Sequence, residues 1–187
     1  MTAQPLTALP EWHIVTSMLS RHSLLFSLAP AVLLAQAAPP QVPATVLADR
    51  DVEYSAVGGR QTLDIVRPRE ASATPRPAVL LIHGGGFRNG TKESYIALAV
   101  KLAEHGYVAA TANYRLAPRN QFPAAVQDCK AAVRFLRANA AKYNLDAAHI
   151  GALGGSAGGH LVLMLGLTAG VEDFEGSGPN RDQSSAV

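Results

Sequence analysis

The chain has 187 residues, of which 48% are hydrophobic and 16% charged. This composition excludes an intrinsically disordered chain and is typical of a globular protein. The net charge is +2 and the basic residues form no cluster, so nucleic acid is not expected as a partner.

The first 37 residues have the pattern of a secretory signal peptide. A basic pair precedes an apolar run at residues 24–34, and an Ala-Gln-Ala cleavage signature ends at Ala37. Residues 1–17, ahead of Met18, are either an over-called start or a long n-region, the segment that precedes the apolar run of a signal peptide. The run is short for a bilayer span, although an uncleaved membrane anchor is the alternative. We therefore expect a secreted or periplasmic protein with no stable membrane anchor after cleavage.

The remaining chain is long enough for one domain with a core. Residues 38–50 are rich in proline and are predicted to form a stiff linker, followed by a domain at 51–187. The single cysteine, Cys129, shares a helical face with apolar residues and is interpreted as a small buried side chain, not a nucleophile. No cysteine pair or cluster of histidine and acidic residues has the spacing of metal ligands, so no metal is expected. The chemistry inferred below needs no organic cofactor either.

Five short strands are predicted. Residues 51–57 and 60–66 are joined across Gly58-Gly59, a turn signal typical of an antiparallel hairpin. Three further runs are apolar throughout, which is typical of central strands in a parallel sheet covered by helices on both faces. These runs are residues 78–82, 107–112 and 150–153.

Helices are predicted between these strands. Apolar residues recur at helical spacing over 95–102, with Thr91 as the cap, and a longer helix is predicted over 123–143. The polar, glycine-rich residues 169–187 are predicted to be loop. The inward stripe of the longer helix is Val126, Cys129, Val133, Leu136 and Ala140, and its predicted solvent face is Lys130, Arg134 and Arg137. The element order predicts an α/β fold with a mostly parallel sheet and a leading hairpin.

The segment Gly154-Gly155-Ser156-Ala157-Gly158 fits the pattern G-x-S-x-G. It lies between a predicted strand and a helix-like run, which is the setting of a nucleophile elbow. Ser156 is therefore the candidate nucleophile, and the Ala157 N–H is placed to donate to a developing oxyanion. Gly154 and Gly158 are expected to let strand and helix approach closely. A serine that only caps a helix is the alternative.

A second motif, His83-Gly84-Gly85-Gly86, follows the apolar run at 78–82. Glycines let backbone N–H groups approach a substrate oxygen, so Gly84, Gly85 and Gly86 are the candidate second part of the oxyanion hole. A simple turn or a phosphate-binding loop is the alternative, but the patterns of phosphate loops are missing. His83 is interpreted as supporting the glycine loop by hydrogen bonds.

A general base for Ser156 is harder to find in the sequence. His160 lies four residues along the same helix, so its side chain is directed away from the serine, and it is interpreted as a packed helix histidine. The later acidic residues are interpreted as solvated loop charges. They are Glu172, Asp173, Glu175 and Asp182.

Four motifs, in family order and spacing, resemble the hormone-sensitive-lipase-like α/β-hydrolases, and among them the secreted bacterial carboxylesterases of the feruloyl- and acetylxylan-esterase-like group. The motifs are His83-Gly-Gly-Gly-Phe87, Asn113-Tyr-Arg-Leu-Ala-Pro118, Phe122-Pro-Ala-Ala and Gly154-Gly-Ser-Ala-Gly-Gly-His160. The resemblance implies that Ser156 is the nucleophile and that Gly85, Gly86 and Ala157 donate to the oxyanion, while Gly84 shapes the loop. Arg115 and Asp128 also match family positions, and we hypothesise a structural ion pair between them.

The resemblance also implies a departure. In such hydrolases the triad acid and histidine follow the nucleophile on later strands. We therefore expect residues 51–187 to be the N-terminal part of an α/β-hydrolase domain, truncated before both. The expected function is hydrolysis of short acyl esters, for example acetyl or feruloyl esters of plant polysaccharides, through an acyl-enzyme on Ser156. The alternatives are a serine peptidase of the dipeptidyl-peptidase type and a non-catalytic fragment or binding module.

Overall fold

A computed structural model describes residues 42–187. The predicted signal peptide at 1–37 and the start of the linker lie outside the described residues. The strands are β1 (Val46–Ser55), β2 (Gln61–Pro68), β3 (Arg76–Ile82), β4 (Val108–Ala112) and β5 (Leu145–Gly154). These five strands form one sheet in the order β1-β2-β4-β3-β5.

The leading hairpin is antiparallel, as predicted, but it begins earlier than expected. β1 pairs with β2 from Val46, which lies opposite Pro68, so the boundary of the linker at residue 50 is wrong. The reason is that the segment after the prolines carries the apolar side chain of Val46, which is 1% exposed in the core. A register shift between Asp49 and Val52 separates the two halves of the strand.

The three apolar runs form the parallel centre of the sheet. β3 lies between β4 and β5 and runs parallel to both, with Ala78 opposite Val108 on one side and Ile150 on the other. β2 joins this unit antiparallel to β4. Because β3 is paired on both edges, its carboxyl end is fixed beside that of β5. These two strand ends carry the two motifs singled out in the sequence.

Helices cover both faces of the sheet, as the apolar strands predicted. The helices are α1 (Ile96–Glu104), α2 (Ala124–Ala138), α3 (Ala140–Tyr143), α4 (Ala157–Leu167) and α5 (Glu172–Glu175). One face packs against α1 in a core cluster that includes Val66, Leu81 and Ala99. The other face packs against α2 and α4 in a larger cluster that includes Leu80 and Leu161.

The helix boundaries differ from the prediction in two places. A 3-10 turn at Lys92–Tyr95 precedes α1, and Thr91 makes no side-chain capping bond to it. The long helix expected over 123–143 is divided at Asn139 into α2 and α3. The predicted inward stripe of α2 is confirmed, since its members from Val126 to Leu136 are at most 2% exposed.

The predicted solvent face of α2 is wrong. Lys130 and Arg134 are 0% and 1% exposed, because residues 168–187 pack over that face of the helix. The carboxylate of Glu175 lies 2.8 Å from Lys130 Nζ and 2.6 Å from Arg134 Nη1. Glu175 is thus a largely buried ion-pair partner, with its side chain 12% exposed, and its interpretation as a solvated loop charge is also wrong.

The same segment makes further bonds to α2. Ser185 Oγ donates to the Glu175 carboxylate at 2.7 Å, and Lys130 Nζ donates to the Thr168 carbonyl at 2.6 Å. We call Lys130, Arg134, Glu175 and Ser185 the tail network. Burial acts against ionisation of Glu175, but the bonds from Lys130 and Ser185 outweigh it and hold the pKa of this carboxyl below its ordinary value. Residues 168–187 are therefore ordered by buried charges and not only by turns.

Among residues 42–187, no helix combines the length and the apolar character that a membrane crossing needs.

Candidate active site

Ser156 lies on a sharp bend between a strand and a helix. β5 ends at Gly154 and α4 begins at Ala157, so only two residues make the connection. The Ser156 backbone has φ 53° and ψ −122°, a conformation that costs a non-glycine residue about 1–3 kcal/mol. The side chain is exposed and its hydroxyl makes no capping bond to the helix. The bend therefore presents the hydroxyl to solvent at the head of α4.

The helix approaches the sheet so closely that only glycine fits at position 158. A Cβ on Gly158 would lie 2.8 Å from the carbonyl oxygen of His83 and closer still to that of Ile82. Both are backbone atoms of β3 or of the residue after it, and they cannot turn aside. Gly158 therefore sets the distance between the bend and the segment that leaves β3.

The glycine loop leaves β3 directly beside Ser156. A Cβ built on Gly84 would be 3.4 Å from the Ser156 Cβ and 2.9 Å from the Gly155 carbonyl oxygen. Gly85 has φ 117° and its carbonyl accepts bonds from the N–H groups of Arg88 and Asn89 at 3.1 Å, which closes the turn. The structure thus brings the triple-glycine segment and the exposed serine together, although they are separated by some 70 residues of chain.

Two segments that carry the candidate backbone donors lie side by side at this point. Ala157 is the first residue of α4, and the first N–H groups of a helix have no acceptor within it. The N–H groups of Gly85 and Gly86 belong to the turn on the other side of Ser156. A helix N-terminus also carries a partial positive charge, so the place between the two loops suits a developing negative charge.

His83 supports the glycine loop through a hydrogen bond and is itself held by ring stacking. Its Nδ1–H donates to the Gly84 carbonyl at 2.7 Å, and its ring stacks on Tyr114 with the ring centroids 4.2 Å apart. The Tyr114 hydroxyl donates to the His83 carbonyl at 3.0 Å. Burial lowers the pKa of His83, which favours the neutral ring, and burial raises the pKa of Tyr114 to about 12. Tyr114 was not singled out in the sequence, although it lies within one of the four motifs.

The structure corrects the interpretation of His160. The side chain is exposed, not packed within the helix, and its ring lies edge-on to Phe87 at 5.7 Å. Three of the four later acids, Glu172, Asp173 and Asp182, are exposed as expected.

The hypothesised ion pair between Arg115 and Asp128 is confirmed. Arg115 Nη2 lies 2.8 Å from Asp128 Oδ1, and the Arg115 backbone N–H donates to the same carboxylate at 2.8 Å. Burial raises the pKa of Asp128 and the bonds from Arg115 oppose that effect. Arg115 Nη2 also donates to the Ala124 carbonyl at 3.2 Å. The pair therefore ties the loop after β4 to the start of α2.

Two residues escaped the sequence interpretation, one beside the bend and one in the 3-10 turn before α1. The Tyr95 hydroxyl occupies the space beside Gly155, where a Cβ would be 2.9 Å away. Lys92 is 3% exposed and contacts the carboxylates of Asp51, Asp64 and Glu93. A buried lysine between two strands and a turn gives no periodic signal, so only its position after the glycine motif could have drawn attention to it.

Within residues 42–187, no group of three histidine, cysteine or acidic side chains is arranged to hold a metal ion. Cys129 is buried, as interpreted, and burial raises the pKa of its thiol well above the ordinary value.

The sheet order, the crossover helices and the strand-bend-helix around Ser156 together define an α/β-hydrolase of the hormone-sensitive-lipase-like class. Residues 63–187 match the model of the BD-FAE family, and the chain belongs to that family.

The relatives of the chain include several named ester hydrolases. Esterase LipC of Mycobacterium tuberculosis is 33% identical over 127 residues, which are 67% of this chain and 31% of the relative. A truncated carbohydrate esterase from gut microbiota superposes with a TM-score of 0.65 at 32% identity, over 75% of this chain and 54% of the other. An esterase of Thermogutta terrifontis with butyrate bound gives a TM-score of 0.68 at 29% identity, over 80% and 52%. The chain thus belongs to a family of carboxylic ester hydrolases and spans about a third to a half of the length of these relatives.

Proposed function

We propose that this chain carries the nucleophile and the oxyanion hole of a serine carboxylesterase that hydrolyses short acyl esters. The observation that carries the proposal is the exposed Ser156 hydroxyl on a strained bend, next to the glycine loop at Gly84. Strained backbone conformations persist where the surrounding structure holds them, and they cluster at active sites.

The reaction follows from these positions. The Ser156 oxygen attacks the ester carbonyl carbon, a base takes the hydroxyl proton, and negative charge develops on the carbonyl oxygen. The N–H groups of Gly85, Gly86 and Ala157 donate to that oxygen, and Gly84 shapes the loop that presents them. The carbon–oxygen bond to the alcohol then breaks and the alcohol leaves with the proton. Water cleaves the remaining acyl-serine ester and restores the hydroxyl.

The base and the acid that orients it are proposed to belong to polypeptide that follows residue 187 in a longer form of the protein. The support is that the chain spans 31% of LipC and about half of the two esterase structures. An open reading frame downstream, in frame or shifted, that encodes an acidic residue and then a histidine would support this proposal. A downstream sequence without them would contradict it.

Acetyl or feruloyl esters of plant polysaccharides are the proposed substrates. This proposal is supported by two of the similar structures. One is a carbohydrate esterase, and the other is an esterase with butyrate, a short acyl group, bound. We also propose that residues 1–37 direct export. N-terminal sequencing of the exported protein should then begin at Ala38, and an N-terminus at Met1 or Met18 would contradict cleavage.

The function is tested by hydrolysis of p-nitrophenyl acetate. We expect the chain to hydrolyse this ester faster than its Ser156→Ala variant does. In a longer form that contains the base, Ser156→Ala should lower the rate by about 1,000-fold or more. Ser177→Ala removes another exposed serine and should change nothing. Equal rates for the chain and for Ser156→Ala would favour a non-catalytic binding module. Faster cleavage of a peptide anilide than of the ester would favour a dipeptidyl-peptidase-type enzyme.

A further inference from the structure

A cavity of about 260 Å³ opens beside the bend and takes no part in the proposed chemistry. It lies between the glycine loop, α4, the start of α2 and the loop that precedes α2. Six of its lining residues are Phe87, Asn120, Phe122, Ala125, His160 and Leu161. Phe87 follows the last glycine of the loop, and His160 is four residues from Ser156, or about 6 Å along the helix axis. A substrate group in this cavity can therefore belong to an ester whose carbonyl is at Ser156.

The walls of the cavity are mostly aromatic and apolar. The rings of Phe87 and His160 meet edge-to-face, with an interplanar angle of 88°. Phe122 lies at the rim, 68% exposed, and its ring stands edge-on to Phe174 at 5.6 Å. Buried Val126 and Leu161 also line the cavity. Aromatic pairs prefer such edge-to-face and offset arrangements, so a further ring would find matching faces and edges here.

The size of the cavity suits one ring. A dry, apolar cavity of about 150 Å³ is enough to hold benzene. The 260 Å³ here leaves room for a short substituent in addition. The exposed amide of Gln121 lies at the opening, where a substituent could meet a polar group.

The cavity is held in shape before any ligand arrives. Arg115 is in the lining and is fixed by its bonds to Asp128 and to the Ala124 carbonyl. The carbonyl of Phe87 accepts a bond from the Ala117 N–H at 2.8 Å, which joins the glycine loop to the opposite wall. A preformed site loses little conformational freedom on binding.

We propose that this cavity, which we call the Phe87/His160 pocket, binds the aromatic ring of an aryl ester and makes the site selective for such esters. Its role in selectivity rests on the proposed function, because the ring must belong to the ester that Ser156 attacks. The binding of the ring itself does not require hydrolysis. Phe122 and Ala125 are the residues whose side chains decide whether a ring enters.

Binding is measured in the Ser156→Ala chain, so that no ester is consumed, by titration with saturation-transfer NMR. The probes are phenyl acetate, ethyl benzoate, cyclohexyl acetate and ethyl acetate. We expect at least one aryl ester to bind about 10-fold more tightly than ethyl acetate, and more tightly than cyclohexyl acetate. The preferred aryl ester tells whether the ring comes from the alcohol or from the acid. Equal binding of the aryl and non-aryl esters would overturn the proposal.

Variants locate the ring. Ala125→Leu fills the pocket and should abolish the preference for aryl esters, whereas Ala138→Leu, on an exposed part of the same helix, should preserve it. Phe122→Ala removes an exposed side chain that the core does not need, and should weaken aryl binding about threefold. Leu163→Ala, another exposed apolar residue, is its control. An aryl preference that survives both Ala125→Leu and Phe122→Ala would place the ring elsewhere and refute the proposal.

The two proposals fail separately. If the chain binds aryl esters in a way that depends on Ala125 but hydrolyses no ester, the proposed pocket stands and the proposed catalytic function is refuted. If the chain hydrolyses esters without any preference for aryl esters, the catalytic function stands and the proposed pocket is refuted.

Discussion

Gly158 offers a sharp test of how the site is built. A Cβ at this position would lie 2.8 Å from the His83 carbonyl oxygen and 2.9 Å from the Ile82 carbonyl carbon, well inside the 3.4–4 Å of ordinary van der Waals contact. We therefore expect Gly158→Ala to push α4 away from β3. The displacement would separate Ser156 from the glycine loop.

The magnitude follows from two opposing effects. Overpacking against backbone costs about 1–3 kcal/mol, and the close approach to two carbonyl groups of a central strand favours the upper end. Alanine is a better helix former than glycine by about 1 kcal/mol. The expected net loss is about 2 kcal/mol in the free energy of unfolding, or a fall of about 4–8 °C in Tm.

The same helix provides the control. Gly166 is exposed, and a Cβ there would meet nothing within 4 Å. Gly166→Ala should therefore be neutral or stabilising by up to about 1 kcal/mol. Urea unfolding followed by circular dichroism measures both variants. If Gly158→Ala proves as stable as Gly166→Ala, the close contact between α4 and β3 does not exist as described.

Three further results are expected. Glu175→Ala leaves Lys130 and Arg134 buried without their carboxylate and should lower the free energy of unfolding by about 3–5 kcal/mol, with faster proteolysis after residue 168. Its control, Glu172→Ala, removes an exposed carboxylate and should lower that free energy by at most about 1 kcal/mol. Equal losses would show that the tail network contributes nothing. Ser156→Gly relieves the φ of 53° and should stabilise the chain by about 1 kcal/mol in urea unfolding, and a loss of stability would show that the bend is not strained. Burial acts against ionisation of Glu93, but hydrogen bonds from Lys92 and Thr91 outweigh it and lower the pKa of this carboxyl to about 2 from 4.5. The stabilising contribution of the ionised carboxylate is therefore present above pH 4.5 and is lost as the pH falls toward 2. Urea midpoints at pH 6 and pH 3 should differ less in Glu93→Gln than in the parent chain, with Glu70→Gln as an exposed control, and an unchanged difference would contradict that pKa.

The parts of the fold that could be read from the sequence are those governed by local patterns. The strands β3 and β4 could be predicted from their continuous apolar runs alone, and the bend at Ser156 from the glycines of its motif, without knowing which segments pack against them. The hydrogen-bonded pair of Arg115 and Asp128 was foreseen only because both residues matched family positions.

The errors have a common physical cause, which is burial by distant segments. Lys130 and Arg134 have the spacing of a solvent face, and their burial is tolerable because Glu175 and its neighbours, about 40 residues later, bond to them. The start of β1 was misplaced because Val46 is buried through its pairing with β2, a separate segment that no local pattern connects to it. The Phe87/His160 pocket is lined by residues from three separate segments of the chain, so no single stretch of sequence could predict it.

The tail network has a consequence for synthesis on the ribosome. Lys130 and its partner Glu175 are 45 residues apart, which at about 5–20 residues per second is roughly 2–9 s of translation. During that interval α2 has two basic side chains without their partner, which disfavours docking that face of the helix in an apolar setting. We therefore expect the final packing of α2 to wait for the arrival of the acidic turn that carries Glu175.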